Sequence, residues 1–362
     1  MLSYDSGVLD LEFLIEYGLF LAKSVTILVS ILVVIVVIFG STQRQKDPDA
    51  GHIEVKNLND SLHGITHSLK SIVLNPELLK QDTKEEKKKE KEKQKTQKKD
   101  VKQGEGPKPR MFVIDFVGDV QASEVVNLRE EITAILSVAE EQDEVLVRLE
   151  SPGGVVHGYG LAASQLQRIR NKSVPLTVAV DKVAASGGYM MACIANKIIA
   201  APFSLLGSIG VVAQIPNFHR ILKKNDIDVE ILTAGEYKRT LTLFGENTDK
   251  AREKFVDDLE DVHELFKDFV SDNRPQVDIE KVATGEAWFG KRALERDLVD
   301  ELKTSDEYIV ECCADRDVFL VKYVVHKNKM DKLFERVTRL WMGGTLSRQA
   351  VPQQTLPNQF IQ

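Results

Sequence analysis

Ser186 occupies a position where a hydroxyl can act as a nucleophile. It follows the apolar run Leu176–Val180 by a few residues and opens the small-residue stretch Gly187-Gly188-Tyr189-Met190. A serine at a strand-to-helix turn projects its side chain from a sharp bend, and the free N–H groups of the helix start favour a nearby anion. Attack on a carbonyl needs such donors, because the oxyanion it creates must be met by preorganised hydrogen bonds. The competing reading is that small residues simply let a helix pack closely on a sheet. A second turn lies about thirty residues upstream: Ser151-Pro152-Gly153-Gly154 follows Glu144–Leu149, which reads as a short buried strand, and leads into the helix-like run Tyr159–Arg170. Alone, a Pro-Gly-Gly turn often only reverses the chain. Two glycine turns, each after a buried strand, can aim two backbone amides at one point, which is the geometry of an oxyanion hole.

A serine hydroxyl also needs a base. Lysine serves only when burial or a neighbouring cation lowers its pKa toward neutrality. Lys238 is one of 48 Lys and Arg residues, so nothing in the residues alone singles it out. Histidine is the obvious competitor, but His157 and His219, the histidines near the motifs, read as ordinary surface or packing residues. No histidine and carboxylate spacing resembles a zinc site, and neither metal nor cofactor is expected.

The blocks SPGG, ASGGYM and Leu206-Gly207-Ser208-Ile209-Gly210-Val211 resemble, in order and spacing, the signal peptide peptidase A family of membrane serine peptidases. The likeness covers roughly residues 110–300, and the amino-terminal layout looks most like the family's SohB branch. It implies an α/β, Clp/crotonase-like fold of stacked β-β-α units and a Ser–Lys dyad. By motif match the nucleophile is Ser186 and the base Lys238, which ends the Gly-x-x-Lys turn Gly235-Glu236-Tyr237-Lys238. Ser208 matches a serine that orients the lysine, and Gly154 and Gly187 match the oxyanion donors. Double-length relatives complete the dyad between two domains. A single-domain chain then implies a ring-like homo-oligomer in which Lys238 of one copy can meet Ser186 of another.

Upstream, Val25–Phe39 is apolar apart from Thr26 and Ser30, and Tyr17–Ala22 extends it with Lys23 as the only charge. The 17–39 stretch is long enough to cross a bilayer and reads as one transmembrane anchor; the resemblance implies that the membrane is a bacterial cytoplasmic (inner) one. Asp5, Asp10, Glu12 and Glu16 precede it, unlike the basic start of a cleaved signal. Arg44, Lys46, Lys56 and Lys70 follow, so the positive-inside rule places the body in the cytoplasm, whereas the resemblance implies the outer face. Residues 40–109 read as a linker, with an amphipathic helix over His52–Leu74 and a lysine- and glutamate-rich tether over Lys84–Lys102. That tether holds ten lysines against five acids; with −7 for the whole chain, the remainder carries −12 and nucleic acid is not expected as a partner. Three cysteines, two of them adjacent, do not make a disulfide framework.

Strands alternating with helices through residues 110–325 imply a layered α/β domain. The pattern predicts strands at Met111–Phe116, Glu144–Leu149, Leu176–Val180, Lys197–Ala200, Ile209–Ala213, Val229–Thr233 and Val318–Val325. It predicts helices over Ser123–Glu141 and Asp249–Asn273, and a closing helix-and-turn segment from Gly285 to Val299. An amphipathic helix is expected within residues 326–346, carrying Leu333, Phe334, Val337, Leu340 and Trp341, and a disordered tail over 347–362. The expected function is a membrane-anchored serine peptidase acting on unfolded or membrane-derived peptides, signal peptide remnants among them. A crotonase-type acyl-CoA enzyme and a catalytically silent membrane scaffold are the alternatives.

Overall fold

The computed structural model describes residues 15–30, 51–81, 84, 88 and 108–325. The chain divides into two compact units. One comprises residues 1–52 and 325–362, the other Ile53–Val324. In the first, residues 15–30 are helical with exposed apolar side chains such as Leu19, Phe20 and Leu28. Thr26 and Ser30 donate their hydroxyls to the carbonyls four residues back, both at 2.8 Å, so neither leaves a bare polar group on the helix. Residues 31–39 of the expected span lie outside the described residues, and no described helix is long and apolar enough to cross a membrane. The expected helix within 326–346 and the tail after it also lie outside the described residues.

The second unit runs in order β1 (His52–Asn57), α1 (Leu58–Val73), β2 (Arg110–Val117), α2 (Val125–Leu136), β3 (Glu144–Glu150), α3 (Val156–Asn171), β4 (Leu176–Val180), β5 (Val183–Ala185), α4 (Gly187–Ala192), β6 (Lys197–Ala200) and β7 (Leu205–Gly207). It continues with α5 (His219–Lys224), α6 (Asp249–Asn273), α7 (Ile279–Val282), β8 (Ala287–Phe289), α8 (Gly290–Leu294), β9 (Glu301–Leu302), α9 (Ser305–Cys312) and β10 (Asp317–Val324). Seven strands form one sheet in the order β1-β10-β2-β3-β4-β6-β9, with the pairs from β10 to β9 all parallel. Parallel strands covered on both faces need continuous rather than alternating apolar sequence. All five residues of β4 are accordingly buried.

A second, three-stranded sheet, β5-β7-β8, lies next to the two glycine turns. β5 and β7 run parallel, and β8 is antiparallel to β7. Each central strand of the large sheet is followed by a short step in the small one. Ser151 bridges to Ala184 after β3, β5 follows β4, and β7 follows β6. For the first two a helix then returns across the sheet. This β-β-α repeat places Ser151–Gly154 and Ser186–Gly188 side by side.

Several elements differ from the sequence reading. Ile209–Ala213 and Val229–Thr233 alternate like strands but form none. β8 already holds the free edge of β7, and Val212 and Leu232 are about 90% exposed with no ladder to join. The expected His52–Leu74 helix begins as β1, and the Asn57 side chain then accepts from the Asp60 N–H to start α1. α2 stops at Leu136 rather than Glu141 because buried Asp143 gathers the following turn, accepting from Glu140 N–H and from Arg110. Within the expected helix-and-turn at Gly285–Val299, β8 forms first.

Candidate active site

Ser186 sits between β5 and α4 with φ 51° and ψ −118°, a backbone conformation that costs a non-glycine residue about 1–3 kcal/mol. Three contacts hold it. Its N–H donates to Gly207 O at 2.7 Å, its carbonyl accepts from Met190 N–H at 2.9 Å, and the preceding Ala185 N–H donates to Ser151 O at 3.0 Å. Strain retained this way at a half-buried serine is what a nucleophile on a strand-to-helix elbow requires.

Gly187 is the first residue of α4, so its N–H has no carbonyl to reach within the helix. Neither it nor the Gly154 N–H has a hydrogen-bond partner among the described residues. Both glycines are sterically enforced. A Cβ at Gly154 would stand 2.1 Å from Val120 O, and one at Gly187 would stand 2.4 Å from the Tyr159 ring. Gly153, at φ +87°, turns the upstream segment so that its Cα approaches the Ser186 backbone.

Gly154, Ser186 and Gly187 line one cavity of about 90 Å³, with Val156, Met190, Gly210, Val211, Val212, Val262 and Phe266 completing it. Apart from Ser186, the side chains lining it are apolar, and none of them is titratable. Val262 and Phe266 come from α6, whose Thr248 cap and apolar spacing lay one face of the helix against α4. A wider surface hollow of about 350 Å³ runs along residues 229–251, remote from the two glycine turns in its lining, and includes Glu236, Tyr237 and Arg239.

Ser208 follows β7 directly, at φ 52°, with its N–H on Glu286 O at 2.7 Å. Its hydroxyl has only a long 3.4 Å contact to Gly285 O. Because Ser186 N–H bonds Gly207 O, the structure brings Ser186, Gly187, Gly154 and the start of the Ser208 segment to one end of the small sheet. Lys238 is not with them. It is exposed, its N–H turns back to Gly235 O, and it does not line the Ser186 cavity. His157 is exposed as well. His263 escaped the sequence reading. It neighbours the cavity-lining Val262 on α6, and its Nε2 is buried without a partner among the described residues. Its place in an amphipathic helix gave no signal of this.

A strained serine beside two unpartnered amides is an arrangement that suits acyl transfer, and similarity to known proteins gives the class. The chain belongs to peptidase family S49, whose N-terminal domain matches residues 12–166 and whose peptidase domain matches residues 168–318, so it is a serine peptidase. Within the signal peptide peptidase A type it falls in the SohB branch. It is 54% identical over 325 residues to a probable protease SohB of Haemophilus influenzae, covering 89% of this chain and 92% of that one. Against a probable protease SohB of Buchnera aphidicola subsp. Schlechtendalia chinensis it is 49% identical over 304 residues, covering 83% and 99%. A solved structure of a variant 1510-N membrane-bound stomatin-specific protease with a substrate peptide aligns with 13% identity and a TM-score of 0.39, over 64% of this chain and 99% of that one.

Proposed function

We propose that the protein is a membrane-anchored endopeptidase that cleaves unfolded or membrane-derived peptides, signal peptide remnants among them, through a Ser186–Lys238 dyad. The observation that carries this reading is the strained Ser186 turn with the free Gly154 and Gly187 amides in the same cavity. Ser186 Oγ attacks the scissile carbonyl while the lysine amine takes its proton. The two amides receive the oxyanion, and the proton passes to the leaving amine as the acyl-enzyme forms. Water, deprotonated by the same amine, then releases the acid and restores the serine. Ser208 orients the amine. The small apolar cavity suits a short apolar side chain next to the bond cut.

A lysine base must be desolvated, and Lys238 is exposed within a single chain. We assign its burial to a ring-like homo-oligomer on a Clp/crotonase-type framework, in which the Lys238 segment of one copy covers the Ser186 cavity of the next. Exposed apolar side chains along the same arm, Val212, Ile231 and Leu232 among them, support that reading. For the anchor, the support is the apolar 17–39 run and the back-bonded Thr26 and Ser30 in its described half. The positive charges after it favour a cytoplasmic body on the inner membrane.

The test is hydrolysis of an unfolded protein and a signal-peptide mimic by the detergent-solubilised full chain from pH 6 to 10, beside Ser186→Ala and Lys238→Ala. Activity that rises with pH and vanishes in both variants is the expected result. Activity surviving Lys238→Ala would move the base elsewhere, with His263 the next residue to replace. A fully active monomer would overturn the ring.

A further inference from the structure

Between the two glycine turns lies one buried polar chain. Gly153 N–H donates to Ser151 Oγ at 3.1 Å, Ser151 Oγ and Tyr159 Oη are 2.5 Å apart, and Tyr159 Oη donates to Asp119 O at 2.7 Å. The single phenolic proton is committed to the Asp119 carbonyl, so the Ser151 hydroxyl must donate to Tyr159 while accepting from Gly153. The direction of the chain is therefore fixed, from the SPGG turn through Ser151 and Tyr159 to the segment after β2. Tyr159 and Ser151 are both fully buried and line no cavity beside Ser186.

The same two residues touch the other turn. The Tyr159 ring occupies the space beside Gly187, and the Ser151 carbonyl lies 2.6 Å from where a Gly188 Cβ would be. Gly118 is likewise closed down on them, since a Cβ there would meet Tyr159 Oη at 2.4 Å and Ser151 Oγ at 2.7 Å. Burial also holds the phenol above its ordinary pKa.

We propose that Tyr159, acting through Ser151, is a positioning residue that sets the distance between the Gly154 and Gly187 amides and so forms the oxyanion hole. Its hydroxyl fixes the upstream turn and its ring fixes the downstream one, without either touching substrate. This rests on the assignment of those amides and Ser186 above.

The test compares Tyr159→Phe, which keeps the ring, and Ser151→Ala, which deletes one oxygen, with the wild-type full chain. Six quantities are read: kcat, KM and the pH midpoint of hydrolysis on a short peptide, affinity for a capped tripeptide aldehyde that forms a tetrahedral adduct, affinity for the matching carboxamide, and melting temperature. A mis-set oxyanion site should lower kcat and aldehyde affinity together by about 10–100-fold, leaving KM, carboxamide affinity and the pH midpoint in place. Should Tyr159→Phe fail to fold, Ser151→Ala carries the same comparison. Wild-type kcat and aldehyde affinity in the variants would overturn the proposal. So would a parallel fall of KM-related binding, carboxamide affinity and melting temperature, the mark of a merely structural role. Hydrolysis retained by Ser186→Ala would overturn the underlying nucleophile assignment instead, which separates the two failures.

Discussion

Replacing Gly153 by alanine puts a methyl group into the closest approach of the two glycine turns. Its Cβ would lie 2.7 Å from Ala185 O, 2.8 Å from Gly187 N and 2.8 Å from Ser186 Cβ. Carbon atoms in contact settle about 3.5–4.0 Å apart, so at least one turn must retreat by roughly 0.7 Å or more. The positive φ adds about 1–2 kcal/mol for a residue with a Cβ, and overpacking a tight site about 1–3 kcal/mol. Together these predict a loss of about 2–5 kcal/mol, which at roughly 2–4 °C per kcal/mol for a chain of this size lowers the melting temperature by about 4–20 °C. Because the displaced atoms carry Ser186 and the Gly187 amide proposed to receive the oxyanion, kcat should fall by about 10²-fold even in the folded protein. Gly160→Ala is the control. It lies on α3 with open space around it, and alanine in a helix interior should gain about 0.5–1 kcal/mol. Circular dichroism melts and peptide hydrolysis on both variants give the answer. A Gly153→Ala protein that melts with the wild type and hydrolyses at its rate would refute the argument.

Burial, reinforced by Glu124 and Asp115, pushes the Glu131 carboxyl up to about 7, against the Tyr323 N–H and Lys322. Its folded pKa exceeds the unfolded value of about 4.3, so the fold binds the extra proton between the two and loses stability as pH rises through that window. Glu131→Gln, which keeps an acceptor for Tyr323 N–H, should therefore raise the melting temperature at pH 8, by up to about 3 kcal/mol of stability, and change little at pH 4. Arg274 is almost wholly buried with both terminal nitrogens on Asp300, at 2.9 and 2.8 Å. Asp300→Ala strands that charge and should cost about 3–5 kcal/mol in urea unfolding; a loss below 1 kcal/mol would mean water reaches the site. The Cys193 thiol is pushed up to about 12 by burial. Iodoacetamide at pH 8 should modify it only after denaturation, as peptide mass spectrometry would reveal.

Legibility in the sequence followed the physics of each element. β2, β3, β4 and β6 are mostly buried and therefore read as short, largely apolar runs, with Asp115 of β2 and Arg148 of β3 paired where those strands reach solvent. Asp249–Asn273 is bounded by the Thr248 cap and Pro275, and its limits match the structure. Ile209–Ala213 and Val229–Thr233 misled because alternation reports a pattern, whereas a strand also needs a neighbour with unpaired backbone. β1 was hidden because Leu58, Leu62, Ile65 and Leu69 set a helical period just after it, although Ile53, five residues before Leu58, falls off that face. At the site, Ser186 and the glycines announce themselves through turn chemistry. Tyr159 does not, since its partners are a carbonyl forty residues upstream and a ring contact with a glycine. Lys238 drew attention only through the resemblance, because an exposed lysine on a turn is chemically ordinary until something covers it.

β10 lies between β1 and β2, so a strand near the end of the described chain sits inside the sheet rather than at its rim. Asn59 depends on the same late segment, donating to Cys313 O and Arg316 O and accepting from Val318 N–H. During synthesis, β2 emerges about 200 residues before its β10 neighbour, a wait of roughly 10–40 s at about 5–20 residues per second. Throughout that interval the flank of β2 is an open apolar edge of the kind that recruits other chains. A ribosome that stalls before residue 317 leaves β1 and Asn59 with nothing to grip. Translation order thus leaves the β2 flank of the sheet open until β10 has been made.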